Sequence, residues 1–190
     1  MQNNVSLRLA KRIWEVVEKE FESGELFEKV SPITKELLRF WFCEPFISQR
    51  QFNFHKGQKQ SILNIIYLHE VLKINNVLEI YEQVAPDLLL ESDLFGAKET
   101  RNSLKESRYD LPKYLVKMAT GTGKTWVMHA LLIWQILNAK NEEEKSGRFT
   151  KNFLIVAPGL IVYDRLLDAY KGRLSENGNG RDFSTNDFVR

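Results

Sequence analysis

A seven-residue segment at positions 119–125 limits what this chain can fold into more than any other part of its 190 residues. It reads Ala-Thr-Gly-Thr-Gly-Lys-Thr, with a β-prone run at 114–118 before it and a long apolar run after it. Glycines let successive backbone N–H groups point inward at a polyphosphate, and the N-terminus of a following helix attracts negative charge. The segment, called the glycine loop below, therefore predicts a phosphate-binding turn between a strand and a helix.

The residue types of the glycine loop suggest a role for each predicted binding residue. Lys124, the predicted catalytic residue, can reach the β- and γ-phosphates of a nucleotide as a point charge. The Thr125 hydroxyl can enter the coordination shell of Mg²⁺. The predicted nucleotide-binding residues of the loop are Thr120, Gly121, Thr122, Gly123, Lys124 and Thr125. The alternative is a glycine-rich turn that binds no ligand.

The order of the predicted elements after residue 112 indicates the fold class. The run at 114–118 and the five apolar residues at 153–157 predict parallel strands, the second one fully buried. Apolar helices are predicted from Lys124 and from about Leu160. The order strand, helix, strand, helix predicts an α/β fold with a parallel sheet and covering helices. Residues 171–190 show no clear period, and we expect them to be loose.

The first half of the chain is predicted to be helical. Residues 1–50 carry apolar side chains at helical spacing, and Ser31 followed by Pro32 predicts an N-cap with proline at the first helical position. Further helices are predicted at 56–73 and at 77–84.

Composition and charge exclude several classes of protein. Hydrophobic residues make up 43% of the chain and charged residues 27%, which is typical of globular proteins and not of disordered ones. The single cysteine, Cys43, excludes an internal disulfide, and three histidines are too few for a zinc cluster. Membrane-spanning and signal-peptide patterns are absent, so we expect a cytoplasmic protein with no membrane partner. The basic residues of 98–117 suit either nucleic-acid phosphates or a solvated helix face.

Residues 118–125 resemble motif I of superfamily 2 helicases, and in particular that of the helicase part of type III restriction enzyme Res subunits. The strict phosphate-loop pattern G-x-x-x-x-G-K-[ST] has a glycine where this chain has Met118. In the superfamily that first glycine is commonly replaced, so Met118 is compatible with the resemblance.

Two flanking segments extend the resemblance. Residues 54–62 resemble the upstream segment whose glutamine recognises adenine, which implies that Gln58 reads the base. Residues 156–160 resemble motif Ia, which implies contacts from Pro158 and Gly159 to a nucleic-acid backbone. Each has a simpler interpretation: Gln58 as an ordinary residue of a helix N-terminus, and the Pro-Gly pair as the end of a strand.

The resemblance also implies a domain organisation, cofactors and partners. A helical accessory region at 1–50 would precede a partial RecA-like nucleotide-binding domain at 51–190, with an insertion at about 75–112. ATP and Mg²⁺ would be the cofactors of an ATP-dependent helicase, a hydrolase. The implied partners are double-stranded DNA, the remaining motor and nuclease domains of the same polypeptide, and a Mod methyltransferase subunit that reads the DNA sequence.

One acidic motif of this class of ATPase is missing from the sequence. An Asp-Glu pair at the end of a strand would hold Mg²⁺ through water, and no such pair occurs in the chain. Asp164 follows four apolar residues, but Arg165 comes next and the apolar spacing around it is helical. The arginine finger and the second motor domain are expected beyond residue 190. We therefore expect an N-terminal fragment of a larger motor that binds ATP and turns it over negligibly.

Two functions from other classes stay open. A stand-alone, non-catalytic nucleotide-binding module would explain the missing acidic pair without truncation, but it requires residues 171–190 to fold and close the sheet. A small nucleotide kinase would need acceptor-binding arginines and a lid after the glycine loop. The tail offers isolated arginines without a recognisable lid.

Overall fold

The computed structural model describes residues 5–90, 113–119, 121–141, 147–175, 178 and 180–186. The chain divides into two compact units, Met1–Lys151 and Asn152–Arg190. The α-helices described in the first unit are α1 (Val5–Ser23), α2 (Leu26–Lys29), α3 (Pro32–Phe42), α4 (Phe46–Gln49), α5 (Lys56–Ile66), α6 (Val77–Val84), α7 (Pro86–Leu90) and α8 (Lys124–Asn141). A π-helical turn, Tyr67–Val71, continues α5.

Apolar side chains from most of these helices form the core of the first unit. Helix α5 packs against α1 and α8, and α8 also packs against α3. The fully buried side chains include Val17, Leu38, Ile62, Ile66 and Trp134. Full burial of such a side chain contributes roughly 1.5–3 kcal/mol to folding. The core therefore fixes α8, and the end of the glycine loop from which α8 starts, against α5. The domain boundary at residue 50 stays a prediction, and helices on both sides of it share this core.

The helices predicted in the first unit are confirmed. Local sequence signals set where these helices begin and end. Helix α3 starts at Pro32 behind Ser31, whose hydroxyl accepts a hydrogen bond from the Thr34 N–H at 3.0 Å. The helix predicted at 77–84 has those bounds. The helix predicted at 56–73 is present as α5 and its π-helical turn. A side-chain cap and a proline at the first helical position act locally, so the sequence pattern shows them.

A buried hydrogen-bond network joins α3, the π-helical turn and α8. The Thr34 hydroxyl donates to a Glu70 carboxylate oxygen at 2.8 Å and accepts from the Trp134 indole N–H at 3.0 Å. The Asn138 amide donates to the same hydroxyl at 3.0 Å, and the Ser31 backbone N–H donates to the second Glu70 oxygen. Protein groups donate hydrogen bonds to both Glu70 oxygens. These bonds stabilise the carboxylate at a place where water has little access.

Replacing Thr34 by valine, which has the same shape, is expected to lower the free energy of unfolding by about 2–4 kcal/mol. The substitution leaves one N–H of the Asn138 amide without its acceptor and removes one of the two donors to a Glu70 oxygen, whereas the Trp134 indole keeps its bond to Glu70. An unmatched buried group costs about 1–3 kcal/mol. Urea unfolding measures the loss. Ser61→Ala is the matched control, because the exposed Ser61 hydroxyl bonds only within α5. A Thr34→Val loss no larger than the control's would contradict the role of the network.

His69 lies in the π-helical turn among aromatic rings. Its ring centroid is 5.2 Å from that of Trp134 and 5.9 Å from that of Phe149, and its Nε2 is 2.8 Å from the Arg148 carbonyl oxygen. Burial lowers the pKa of His69 below its ordinary value. The folded protein therefore keeps His69 neutral at pH values where the unfolded chain is already protonated.

Acidification is expected to destabilise the protein partly through His69. Below about pH 6.5 the unfolded imidazole takes up a proton that the folded one does not, so the free energy of unfolding falls as the pH falls. Urea unfolding at about pH 7.5 and about pH 5.5 measures this loss. The loss should be smaller in His69→Gln, which has no titrating ring. An equal loss in the variant and the wild type would contradict the assignment to His69.

The second unit contains one further α-helix and a short hairpin in its described residues. Its elements are α9 (Leu160–Lys171), β1 (Arg173–Leu174), β2 (Arg181–Asp182) and a 3₁₀ turn (Phe183–Thr185). The helix predicted from about Leu160 is confirmed as α9. The two strands are antiparallel, with Arg173 opposite Asp182. In neither unit is any described helix both long and apolar enough to cross a membrane.

The hairpin shows that the described part of residues 171–190 is not loose, so that expectation is wrong. The Arg181 guanidinium donates to the Asp168 carboxylate and, at 2.8 Å, to the Gly172 carbonyl oxygen. Gly172 has a φ of +81°, and a Cβ at this position would overlap the Asp182 carbonyl. Polar contacts and one close backbone approach stabilise this segment. Apolar periodicity does not reveal contacts of this kind.

The parallel sheet predicted beside the glycine loop is not shown among the described residues. Residues 113–119 and 152–157 have no regular secondary structure, and the strands described are the antiparallel pair β1 and β2. The side chains at 153–156 are 39, 89, 38 and 81% exposed, so the prediction of a fully buried strand at 153–157 is wrong. Their exposure alternates as in a strand, but strand formation also needs a neighbour that pairs with the backbone. No described segment forms a ladder with these residues.

Candidate functional site

The glycine loop turns sharply before α8 begins. Gly121 and Gly123 have φ values of +79° and +72°, the left-handed region that glycine adopts without strain. Inside the turn the Thr122 N–H and hydroxyl both donate to the Ala119 carbonyl oxygen, at 3.4 and 2.7 Å. Thr120 lies outside the described residues. The two positive φ values agree with the sequence argument that glycines are needed to curl this segment.

Lys124 and Thr125 lie in the first turn of α8, and both are exposed. The Lys124 ammonium donates to the carbonyl oxygens of Met118 and Ala119, each at 2.9 Å. Its flexible stem thus places the positive charge over the start of the glycine loop, beside the N-terminus of an 18-residue helix. Both the ammonium and the helix N-terminus favour an anion at this place.

Gln58 contacts the glycine loop, although it lies far away in the sequence. Its side chain is buried, and its Nε2 donates to the carbonyl oxygens of Thr122 and Gly123, each at 3.2 Å. A Cβ at residue 123 would lie 2.3 Å from this Nε2, so any other residue there would have to displace the Gln58 amide. The Gln58 Oε1 accepts from the His55 N–H at 2.9 Å. Gln58 is therefore both a residue of the α5 N-terminus and a direct neighbour of the loop.

His55 is a residue of the site that sequence reasoning missed. It is the N-cap of α5 and forms a capping box with Gln58. Its Nδ1 accepts from the Gly57 N–H at 3.1 Å, and its Nε2 lies 2.9 Å from the Thr122 carbonyl oxygen. The pattern of an N-cap residue with glutamine three positions later was present in the sequence. Serine, threonine, aspartate and asparagine are the usual N-cap residues, so a histidine at this position does not identify the pattern from sequence alone.

The two phenylalanines before α5 differ in exposure. The half-buried Phe54 ring lies 5.6 Å from that of Phe42 and 6.2 Å from that of Trp41, so it packs against the core. Phe52 is 80% exposed. Of these two rings, that of Phe52 is the more accessible to a ligand.

The predicted motif Ia residues lie in the second unit, where Gly159 is the N-cap of α9. Both Pro158 and Gly159 are exposed, and the Gly159 carbonyl accepts from the Tyr163 N–H at 3.0 Å. Asp164 lies within α9 and not at the end of a strand. Among the residues that the structure describes, no group of three or more His, Cys, Asp or Glu side chains could hold a metal ion.

A family model described as type III restriction enzyme, Res subunit, matches residues 51–188. The chain belongs to this family. The match includes Gln58, the glycine loop and α9, and it starts just before α5. Searches of curated proteins and of solved structures found no match. Membership of the family supports a helicase-like, ATP-binding module of a type III restriction enzyme.

Alanine substitutions at the two loop glycines are expected to differ in cost. A positive φ costs an L-residue about 1–2 kcal/mol. A Cβ at 121 meets no atom of the described residues within 4 Å, so Gly121→Ala should lower the free energy of unfolding by about this amount. Gly123→Ala should cost more, because the new methyl group must displace the Gln58 amide.

Gly147→Ala is the matched control for this pair, since Gly147 has a φ of +70° and a Cβ there would meet no atom of the described part of the chain within 4 Å. Urea unfolding of the three variants measures the costs. A Gly123→Ala loss equal to that of Gly147→Ala would contradict the close contact with Gln58.

Proposed function

We propose that the glycine loop binds the phosphates of Mg-ATP and that the chain is the nucleotide-binding part of a DNA helicase or translocase, the Res subunit of a type III restriction–modification enzyme. The observation that carries the proposal is the arrangement at the N-terminus of α8. Gly121 and Gly123 curl the backbone, Lys124 is the first residue of α8, and Gln58 contacts the loop. All these residues fall within the segment that the family model matches.

In this proposal each residue of the loop contributes a distinct interaction. Backbone N–H groups of Thr120–Lys124 bind the β- and γ-phosphates, supported by the dipole of α8. The Lys124 ammonium exchanges its two carbonyl acceptors for phosphate oxygens, which are stronger partners because they are charged. The Thr125 hydroxyl binds Mg²⁺ together with the phosphates.

Gln58 is the proposed adenine reader. Its amide presents a carbonyl acceptor and an NH₂ donor group, which match the amino group and a ring nitrogen of adenine. Both atoms are engaged within the protein, by the Thr122 and Gly123 carbonyls and by the His55 N–H. Adenine recognition therefore requires the amide to share or exchange these contacts when the nucleotide binds.

We propose that hydrolysis depends on parts that these residues do not supply. Phosphoryl transfer needs several groups positioned at once, including an acidic residue on the metal and an arginine on the developing charge. The sequence has no Asp-Glu pair, and Asp164 lies on a helix. The proposed partners are the other motor and nuclease domains, a Mod methyltransferase subunit, and double-stranded DNA contacted in part at Pro158 and Gly159.

The stand-alone nucleotide-binding module is kept as the alternative because residues 171–190 do fold in part. Strands β1 and β2 form a hairpin there, but among the described residues no further strand pairs with them. A module of this kind would bind nucleotide and never hydrolyse it, whichever domains were added.

Lys124→Ala is expected to weaken Mg-ATP binding by about 10–100-fold, because a hydrogen bond to a charged group is worth about 1.5–3 kcal/mol. Isothermal titration of the whole chain with Mg-ATP measures the affinity. Lys140→Ala, at the other end of α8, is the matched control and should bind as the wild type does.

Equal affinities for the wild type and Lys124→Ala would overturn the proposed binding site. A DNA-stimulated ATPase activity of the chain that is lost in Lys124→Ala would confirm the site and overturn the expectation of negligible turnover.

A further inference from the structure

We infer that His55 is a positioning residue for the glycine loop: its imidazole links the N-terminus of α5 to the Thr122 carbonyl and sets the direction of the backbone donors that follow. The consequence for nucleotide affinity rests on the proposed function, whereas the contact itself does not. The inference is carried by the two ring nitrogens of His55, which face different partners.

The partners of the ring determine which nitrogen carries the proton. The Nδ1 atom lies 3.1 Å from the Gly57 nitrogen and 3.4 Å from the Gln58 nitrogen, and both of these are N–H donors. Nδ1 must therefore present its lone pair. The Nε2 atom lies 2.9 Å from the Thr122 carbonyl oxygen, which can only accept. Nε2 must therefore carry the proton, so neutral His55 with its proton on Nε2 satisfies every contact.

The contact with Thr122 acts together with that of Gln58. The Gln58 Nε2 donates to the carbonyl oxygens of both Thr122 and Gly123. The Thr122 oxygen thus accepts from two side chains of α5, and the capping box keeps those two side chains in register with each other.

This arrangement fixes the direction of two backbone N–H groups. In a trans peptide the C=O and the following N–H point in opposite directions. Holding the carbonyls of Thr122 and Gly123 toward α5 therefore turns the N–H groups of Gly123 and Lys124 away from α5. Pre-orienting donors before the ligand arrives reduces the ordering cost of binding, so the loop gains affinity for phosphate from a residue that does not touch it.

The test separates the two contacts of the ring with one substitution. Asparagine is a preferred N-cap, so His55→Asn keeps an acceptor for the N–H groups of Gly57 and Gln58. Its side chain is too short to replace the ring Nε2 at the Thr122 oxygen. We expect His55→Asn, which keeps the N-cap and loses only the bond to Thr122, to lower the urea midpoint less than His55→Ala does and to weaken Mg-ATP binding by roughly three- to ten-fold, a cost of about one net hydrogen bond. His55→Ala, which removes both contacts, should lower the urea midpoint further.

A second readout follows the ring itself and needs no nucleotide. Nitrogen-15 NMR of the ligand-free wild type should show the His55 proton on Nε2 and none on Nδ1 at a pH where the ring is neutral. The backbone amides of Gly123 and Lys124 should shift in His55→Asn relative to the wild type. A proton on Nδ1, or loop amides that do not respond to the substitution, would overturn the inference.

The two proposals fail in different ways. If the wild type binds Mg-ATP, Lys124→Ala binds it more weakly, and His55→Asn binds as the wild type does, the positioning role is wrong and the proposed function stands. If the wild type binds no Mg-ATP, the proposed function is wrong. The NMR measurements then still decide whether His55 positions the loop, because the ring proton of His55 and the backbone amide shifts of Gly123 and Lys124 do not depend on nucleotide.

Discussion

The hydrogen bonds from the Gln58 amide to the carbonyls of Thr122 and Gly123 connect the glycine loop to the helical core. They need α5 and α8 to lie at a fixed separation, and the packing of these helices through the apolar core that contains Ile62 and Trp134 provides it. Trp134 is in turn oriented by its indole contacts with Thr34 and Glu70. The geometry of a short exposed loop therefore depends on burial and hydrogen bonding in the core of the first unit.

Features set by neighbouring residues could be predicted from the sequence. Ser31 and Pro32 marked the start of α3, and the apolar spacing marked α6 and α9. The glycines at 121 and 123 were assigned to a tight turn, and their positive φ values agree with that assignment. In each case the physical cause acts within a few residues, so a single sequence contains the information.

Features set by distant residues could not be predicted. The apolar run at 153–157 has the composition of a buried strand, but burial requires pairing neighbours that its own residues cannot specify. The network around Glu70 connects residues up to 107 positions apart, from Ser31 to Asn138. The role of His55 could not be predicted, because its contact with Thr122 is made across 67 positions of sequence and an N-cap is more often serine, threonine, aspartate or asparagine.

The central claim is that the backbone of the glycine loop binds nucleotide phosphates. Proton–nitrogen NMR of the whole chain during titration with Mg-ATP tests it most directly, because each loop amide reports separately. The claim predicts that the amides of Gly121, Gly123, Lys124 and Thr125 shift most and saturate together. Loop amides that stay unchanged, while residues elsewhere shift or nothing shifts, would contradict it.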